Sequence, residues 1–527
     1  MNKKIISGIT LTLLLLSMLT LVFNIQTVKA VPTTWTVDDD GPADFSSIQE
    51  AINTARGWDT IFVHSGTYYE NVVVNKTVSL IGENKNNTIV DGNATGTVVT
   101  VTANNVNITE FTFRNGLGEW QCGIVLSSVE NCNIFENIIA DNELGIGLGY
   151  SHNSRVSDNY ITHNEGGIFL IVSSYNIFRG NKMVENTGGF SVIGENLTDF
   201  INDVDSSNTI DGKPVYYWVN KRDMTIPLDA GYVALVNCTL ITVDELTQKQ
   251  VVQFIYTTNS TITNSIVHLS FYYSSDNIIL RNNLSHSGHG IYLLASSNNI
   301  ISENNITANS MFGIILWMAN NNNCITRNNI TGNGNGGIYL AFSSNNTVTE
   351  NNITNNWSGI KFMGGTNNHV YHNNFINNTN HASTDSLNTW DNGFEGNYWS
   401  DYEEKYPNAQ ELNGSGIWDT PYYIKWNNQD NFPLMEPCSL KPSPVETTQE
   451  LIETIETWNL PKGTENSLKT KLKVAIHMLD MGKEDGAIHK LTAFINRVEM
   501  LREKMLTNEQ ADYLIAEAQR IIDLING

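Results

Sequence analysis

The chain has 527 residues, 40% of them hydrophobic and 9% aromatic, with only 11 Pro, which suits a globular, strand-rich protein of more than one domain and argues against disorder. Its formal net charge of −24 excludes a surface adapted to nucleic acid phosphates or anionic membranes, and it disfavours acidic polysaccharides unless cations intervene. Five sparse cysteines (Cys122, Cys132, Cys238, Cys324, Cys438) make no disulfide framework, although Cys122 and Cys132 are near enough in sequence for one local bridge.

The first thirty residues carry Lys3 and Lys4, an apolar run from Ile5 to Phe23, and the ending Val28-Lys29-Ala30, the pattern of a cleaved export signal. Its removal takes Lys3, Lys4 and Lys29 away and the charge from −24 to −27. No other apolar run approaches the ~20 residues that span a bilayer, so the mature chain is expected to be secreted or held at the cell surface without a membrane span. Sequons such as Asn93, Asn196, Asn237 and Asn413 permit glycosylation without requiring it.

Asp44 to Ala55 reads DFSSIQEAINTA, with Ile48, Ala51, Ile52 and Ala55 on one helical face and Ser46 or Asp44 available as N-cap. A short helix here covers the open end of the strands that follow, IFVHSGTYYENVVV and TVSLIG.

From residue 134 to 378 one phrase recurs. Its Asn anchors fall at Asn137, Asn159, Asn181, Asn282, Asn304, Asn328, Asn351 and Asn373, spaced 22, 22, 101, 22, 24, 23 and 22. Three residues before and two after each anchor stand apolar residues, from Ile134 and Ile139 to Val370 and Phe375. A period near 22 is one coil of a parallel β-helix, each coil being too short to bury its apolar face alone. Stacking at about 4.8 Å puts the anchors in a hydrogen-bonded ladder, with a second Asn column five residues on, from Asn142 to Asn378. A Gly then opens an alternating triplet, as in Gly167-Ile168-Phe169-Leu170 and Gly290-Ile291-Tyr292-Leu293. Between residues 193 and 276 the phrase degrades into irregular coils with a long protruding turn.

Asp385 to Pro437 is rich in Trp and Tyr. These aromatics cap the last coil; the alternative is a sugar-stacking platform. Pro437 to Pro444 reads as a linker, and residues 445–527 follow helical rules. Four apolar stripes begin at Leu451, Leu468, Ile488 and Leu514, and Thr447 with Glu450 and Thr507 with Gln510 are candidate capping boxes. A small four-helix domain is the simplest solution.

VDDDGPADFSSIQEAI, GTYYENV, the NNIT and GIYL repeats and NYWSDY to NQDNFPLM together resemble the NosD-like right-handed parallel β-helix proteins, also described as carbohydrate-binding and sugar-hydrolase (CASH) repeats, over residues 35 to 436. NLPKG, AFINRVE and LTNEQADYLIAEAQ resemble the FIMAH helical domain appended to secreted proteins. The resemblance implies a mainly β protein: 1–30 signal peptide, 31–436 right-handed parallel β-helix with capping helix and aromatic cap, 437–444 linker, 445–527 FIMAH-like domain. It leaves function open, since this fold hosts lyases, hydrolases, epimerases, adhesins and an accessory factor for copper-site assembly.

Three sets of residues carry candidate chemistry. Asp141, His163 and Glu185 share one register four residues past their anchors, an acid, imidazole and acid suited to binding a cation or sharing a proton; the plainer reading is solvated turn residues. Phe169, Tyr292 and Tyr339 occupy the outward slot of the Gly-led strand, where rings can stack on the apolar faces of sugars. Glu411, Asn413, Ser415 and Asp419 fall at positions 1, 3, 5 and 9 of a calcium loop, but Tyr422 stands where the bidentate Glu belongs, so calcium is the cofactor admitted, at poor affinity. Beside these, the residue before each anchor reads Arg281, Glu303, Arg327, Glu350 and His372, an alternation that stacks as a column of ion pairs. The combined expectation is an exported β-helix that binds extracellular polysaccharide, with hydrolase, lyase or epimerase chemistry left open and the helical tail free to dock another surface component. Copper-site maturation and a non-catalytic adhesin are the alternatives; the first would want clustered Cys, Met and His, and Cys and Met are scattered here.

Overall fold

The computed structural model describes residues 31–439, 443–458, 460–481 and 483–526; the expected leader lies outside the described residues. The chain winds into a parallel β-solenoid followed by four long helices. Successive coils pair in register along every face: Asn133–Phe135 on Arg155–Ser157, Ile138–Ala140 on Tyr160–Thr162, Leu144–Gly149 on Gly166–Ile171. The inward column Ile134, Val156 and Phe178, like Ile139, Ile161 and Met183, is fully buried.

The ladder closes the hydrogen-bond account inside. Asn159 Oδ1 accepts from both the backbone N (3.1 Å) and the Nδ2 (3.2 Å) of Asn137, while Asn137 Nδ2 also reaches Ile108 O at 3.1 Å. The same pattern joins Asn282, Asn304, Asn328, Asn351, Asn373 and Asn397. A third column, Asn277, Asn299, Asn323, Asn346 and Asn368, stands at another corner. Each amide in these columns meets partners that offset its burial. The residues just before the rungs take left-handed backbone, from Glu136 (φ 57°) and Asp158 (φ 57°) to Glu350 (φ 55°) and His372 (φ 57°), which turns the chain and aims the next side chain inward. Gly at the strand entrance is needed for space: a Cβ on Gly290 would lie 2.7 Å from Gly313 O and 2.7 Å from Ile306 Cγ2.

Residues 193–276 are more regular than the sequence suggests. Strands Lys213–Val219, Tyr232–Val236, Thr247–Ile255 and Ile266–Tyr272 stack in parallel, with coils of 17 or 19 residues, as in Val219↔Val236↔Ile255↔Tyr272. The ladder continues with hydroxyls: Ile241 N donates to Ser260 Oγ and Ser260 N to Asn277 Oδ1, both at 3.0 Å. One antiparallel contact, Thr209–Ile210 on Lys213–Pro214, separates two blocks of coils. Tyr232–Val236 is buried on both faces. Tyr232, Ala234 and Val236 complete the core of the first block, and Val233 and Leu235 belong to that of the second. The outer face of the second block thus covers the open end of the first.

Helix α1 (Ile48–Thr54) covers the other end, with Ile48, Ala51 and Ile52 at 0% exposure. Its N-cap is Ser47, not Ser46 or Asp44, and Glu70 accepts from the N–H of Ile48 and of Gln49. At the C-terminal end, around the short helix α2 (Tyr402–Lys405), Trp390, Trp399, Tyr402 and Tyr422 are buried, as a cap requires. The tail comprises α3 (Pro444–Thr457), α4 (Lys462–Asp480), α5 (Glu484–Leu501) and α6 (Asn508–Asn526), packed on Leu451, Leu472, Phe494 and Ile521. The first capping box is Ser443 with Glu446 rather than Thr447 with Glu450, whereas Thr507 and Gln510 do exchange bonds, at 3.0 and 3.1 Å. All five cysteines are free thiols, so Cys122 and Cys132 form no bridge. No helix among the described residues is long and apolar enough to cross a membrane.

Candidate functional site

The outer face of the second block carries a row of rings. Its strands are Ile266–Tyr272, Ile291–Leu294, Phe312–Trp317, Gly336–Ala341 and Ser358–Met363, and the outward slot runs Ser270↔Tyr292↔Ile315↔Tyr339↔Lys361. Inward neighbours Ile291, Ile314, Ile338 and Ile360 are fully buried, which fixes the alternate side chains outward.

Tyr292 and Tyr339 are not two bare platforms. Tyr339 is only 7% exposed, because Phe312 stacks on it (4.9 Å, 27°), Trp317 meets it edge-on at 6.1 Å, and Ile315 (5% exposed) fills the coil between. Lys361 Nζ sits 5.2 Å from the Tyr339 ring centroid, and the Tyr339 hydroxyl donates to Met363 Sδ at 3.2 Å. The row continues through His289, parallel to Phe312 at 6.1 Å, to Tyr292 (6.0 Å) and Tyr272 (5.9 Å). Tyr272, His289, Tyr292, Phe312 and Trp317 are half-buried, so each presents part of a ring to solvent. Tyr339 therefore supports the face from beneath, a correction to its expected role as an open stacking ring.

Where the row meets the first block it opens into a cleft of about 310 Å³ lined by Val251, His268, Ser270, Tyr272, His289 and Tyr292. His268 Nε2 lies 3.3 Å from Ser285 O, which only accepts, so this nitrogen carries the proton and Nδ1 is left as an acceptor when the ring is neutral. His289 Nδ1 accepts from Phe312 N at 3.4 Å. Burial lowers the His289 pKa, and a ring nitrogen that accepts must be unprotonated, so the imidazole is neutral near pH 7. Two imidazoles beside three aromatic rings can orient hydroxyl groups on a ligand laid along the face. Strand alternation does not reach His289 and Phe312, and the one signal the sequence holds for them is that each lies directly before the Gly of its strand.

In the first block, Phe169 occupies the equivalent slot between Gly147 and Ser191, half-buried, with Trp120 tilted over it at 5.8 Å. Asp141, His163 and Glu185 stand in one column and are turn residues with φ of 56°, 55° and 55°. His163 Nε2 meets Glu185 Oε2 at 2.9 Å, and its Nδ1 lies 2.9 Å from Thr162 Oγ1. The side chains of His163 and Glu185 are 59% and 68% exposed, and no side-chain hydrogen bond or ion pair among the described residues joins Asp141 to them. The geometry is that of a solvated imidazole–carboxylate contact on a corner. The stacked column before the anchors does pair, Arg281 with Glu303 at 3.3 Å and Arg327 with Glu350 at 2.7 Å.

Glu411 and Asp419 turn back onto their own loop. Glu411 Oε1 accepts from Gly416 N at 2.9 Å, Asp419 Oδ1 accepts from Gln410 N at 3.1 Å, and Glu411 bridges Trp418 in antiparallel fashion. Ser415 hydroxyl donates to Leu412 O, and Asn413 takes left-handed backbone (φ 55°). The segment is a hairpin tip whose two carboxylates are held by backbone N–H groups. Among the described residues, the one group of three converging His, Cys, Asp or Glu ligands is Asp38, Asp39 and Asp40, a hard oxygen set.

The fold and this face define a parallel β-solenoid with an aromatic, His-bearing outer wall. The chain belongs to the NosD family: the model described as periplasmic copper-binding protein (NosD) matches residues 49–227 and again 206–404, and the FIMAH domain matches 445–523. The two NosD matches meet at residues 206–227, where the two blocks of coils join. Among curated proteins, probable pectinesterase/pectinesterase inhibitor 41 of Arabidopsis thaliana is 32% identical over 120 residues, 19% of this chain and 21% of that one, so the chain spans about a fifth of its length. Among solved structures, a pectin methylesterase in complex with a hexasaccharide aligns at 12% identity and TM-score 0.26, covering 48% of this chain and 81% of that one. The A-module of the mannuronan C-5 epimerase AlgE6 of Azotobacter vinelandii aligns at 13% and 0.27, covering 65% and 93%.

The copper-binding description of the family invites a test on the donor set. Burial raises the pKa of all five thiols, that of Cys122 to about 12, so none is held as a ready thiolate. None belongs to a converging ligand group among the described residues. The cysteines among the described residues therefore do not fit a soft copper site.

Proposed function

We propose that the protein is exported and binds an extended extracellular polysaccharide along the outer face of the second block. The observation that carries this reading is the unbroken row Tyr272, Tyr292, His289, Phe312 and Tyr339, with neighbouring centroids 4.9 to 6.1 Å apart. Coils repeat every ~4.8 Å and the row crosses four of them, an open face that suits a polymer laid over it rather than a small molecule in a pocket. Sugar C–H faces pack on the half-exposed rings, and His268, Ser270 and His289 supply hydrogen bonds in the cleft at the end of the row.

The test is affinity electrophoresis of residues 31–527 against a panel of neutral and acidic polysaccharides, with Tyr292→Ala/Phe312→Ala beside the parent. Ring stacking adds roughly 0.5–1.5 kcal/mol per ring beyond area burial, so the pair should weaken binding about tenfold or more. Retardation unchanged by the double substitution would contradict the face. Product analysis in the same experiment, for new reducing ends, unsaturated ends or inverted uronate centres, decides whether a reaction accompanies binding.

A further inference from the structure

The C-terminal cap keeps most of its rings inside. Trp390, Trp399, Tyr402 and Tyr422 are at most 4% exposed, and Trp399 lies flat on Tyr422 with centroids 4.1 Å and planes 3° apart. Trp426 departs from this. It stands at the turn of the hairpin made by Tyr422–Lys425 and Asn428–Asp430, the residue 60% exposed and its φ at 53°. Left-handed backbone costs a bulky residue about 1–2 kcal/mol, and short hairpin turns favour Asn or Gly at such a place. Turn formation gives no reason for a tryptophan here, and neither does the core.

Beside the indole lies a cleft of about 460 Å³ lined by Asn388, Asp391, Asn427, Gln429 and Asn431. The Asp391 carboxylate is already engaged, Oδ1 accepting from Gly393 N at 3.0 Å and Oδ2 from Asn431 N and Nδ2 at 3.1 and 2.8 Å. Carboxamides both donate and accept, as sugar hydroxyls do. Asn427 and Gln429 are exposed, and Gln429, whose Nε2 donates to Asn431 Oδ1 at 2.7 Å, still offers its Oε1 to a ligand. Lys425 Nζ lies 4.9 Å from the indole centroid, no lysine or arginine lines the cleft, and the net charge of −24 opposes a polyanion.

We infer that this cleft is a second carbohydrate site, selective for a neutral pyranose. Trp426 stacks one sugar face, while Asn427 and Gln429 bond its hydroxyls. The inference takes its ligand class from the polysaccharide reading above but uses none of the same residues, so the two fail separately.

The experiment is ¹⁹F NMR of residues 31–527 carrying 5-fluorotryptophan, titrated with cellotetraose and with chitotetraose; Trp426→Asn identifies the resonance by its loss. The expected result is a saturable shift of the Trp426 signal with at least one tetrasaccharide. Asn427→Ala/Gln429→Ala should weaken it at least fivefold, and Tyr292→Ala/Phe312→Ala should leave it in place. Because Asn suits left-handed backbone, Trp426→Asn should unfold at the same or higher temperature, separating ligand loss from structural damage. No shift with either tetrasaccharide, a shift indifferent to the Asn427/Gln429 pair, or a shift abolished by the Tyr292/Phe312 pair would each overturn the inference. Loss of polymer retardation in the Tyr292/Phe312 variant with the Trp426 shift intact supports both sites.

Discussion

A buried asparagine is costly unless both ends of its amide are used, and here the stacking of coils uses them. Asn328 Oδ1 accepts from the N and Nδ2 of Asn304 at 3.0 and 2.9 Å, and Asn328 Nδ2 donates to Ile301 O and Asn351 Oδ1 at 2.8 and 3.0 Å. Asn328→Leu leaves those partners buried and unpaired, so a loss of at least about 1–3 kcal/mol is expected in chemical denaturation; an unchanged midpoint would show that the rung contributes nothing. Asp430 behaves differently. Burial pushes its carboxyl from 3.8 up to about 7, against the N–H groups of Asn397, Trp399 and Phe432 that favour the charged form. Its folded pKa lies above its unfolded one, so its contribution to stability is full below pH ~4 and is lost as pH rises through ~7. The cap should therefore loosen between these values, and Asp430→Asn should flatten that part of the profile of melting temperature against pH. The ladder is legible in the sequence because an Asn that recurs once per coil between buried apolar neighbours must point inward, where the next Asn in the stack and the backbone carbonyls of adjoining coils pair it. Asp430 is not, because nothing local marks a carboxylate that will be enclosed by a distant coil.

At the scale of elements, the tail shows which signals survive translation into structure. The box of Thr507 and Gln510 is readable because hydroxyl and amide stand three apart at the head of an apolar stripe. Ser443 is hidden because Pro444 suggests a linker, whereas proline is well suited to the first turn of a helix and Ser443 caps it. The four stripes bury Leu451, Leu472, Phe494 and Ile521 within the tail itself. Arg281 of the solenoid also meets Asp480 at the end of α4. Residues 443–527 expressed alone should show helical circular dichroism and a cooperative melt; a featureless coil spectrum would mean that the tail draws its core from the solenoid. The ring row is an element-scale feature too. Its Tyr292 and Tyr339 follow from the strand alternation, but the stacking of Phe312 over Tyr339 depends on how two coils lean together.

The solenoid that dominates the molecule is two blocks of coils with one covering the end of the other. That arrangement is hard to see in the sequence because the coil shortens from 22 to 17 or 19 residues and Ser260 and Ser265 take over from asparagine, so the repeat fades where the joint lies. Strand Tyr232–Val236, buried on both faces, carries the joint. Ala234→Asp places an unpaired charge against the core of the first block and should cost several kcal/mol, splitting thermal unfolding into two calorimetric transitions; a single transition at the parent temperature would deny the joint its role. The most direct measurement of the central claim is hydrogen exchange on residues 31–527 with and without a bound polysaccharide. The account predicts protection concentrated in residues 268–272, 287–294 and 310–317 along the ring row, whereas protection confined to the first block, or none beyond the cap, would contradict it.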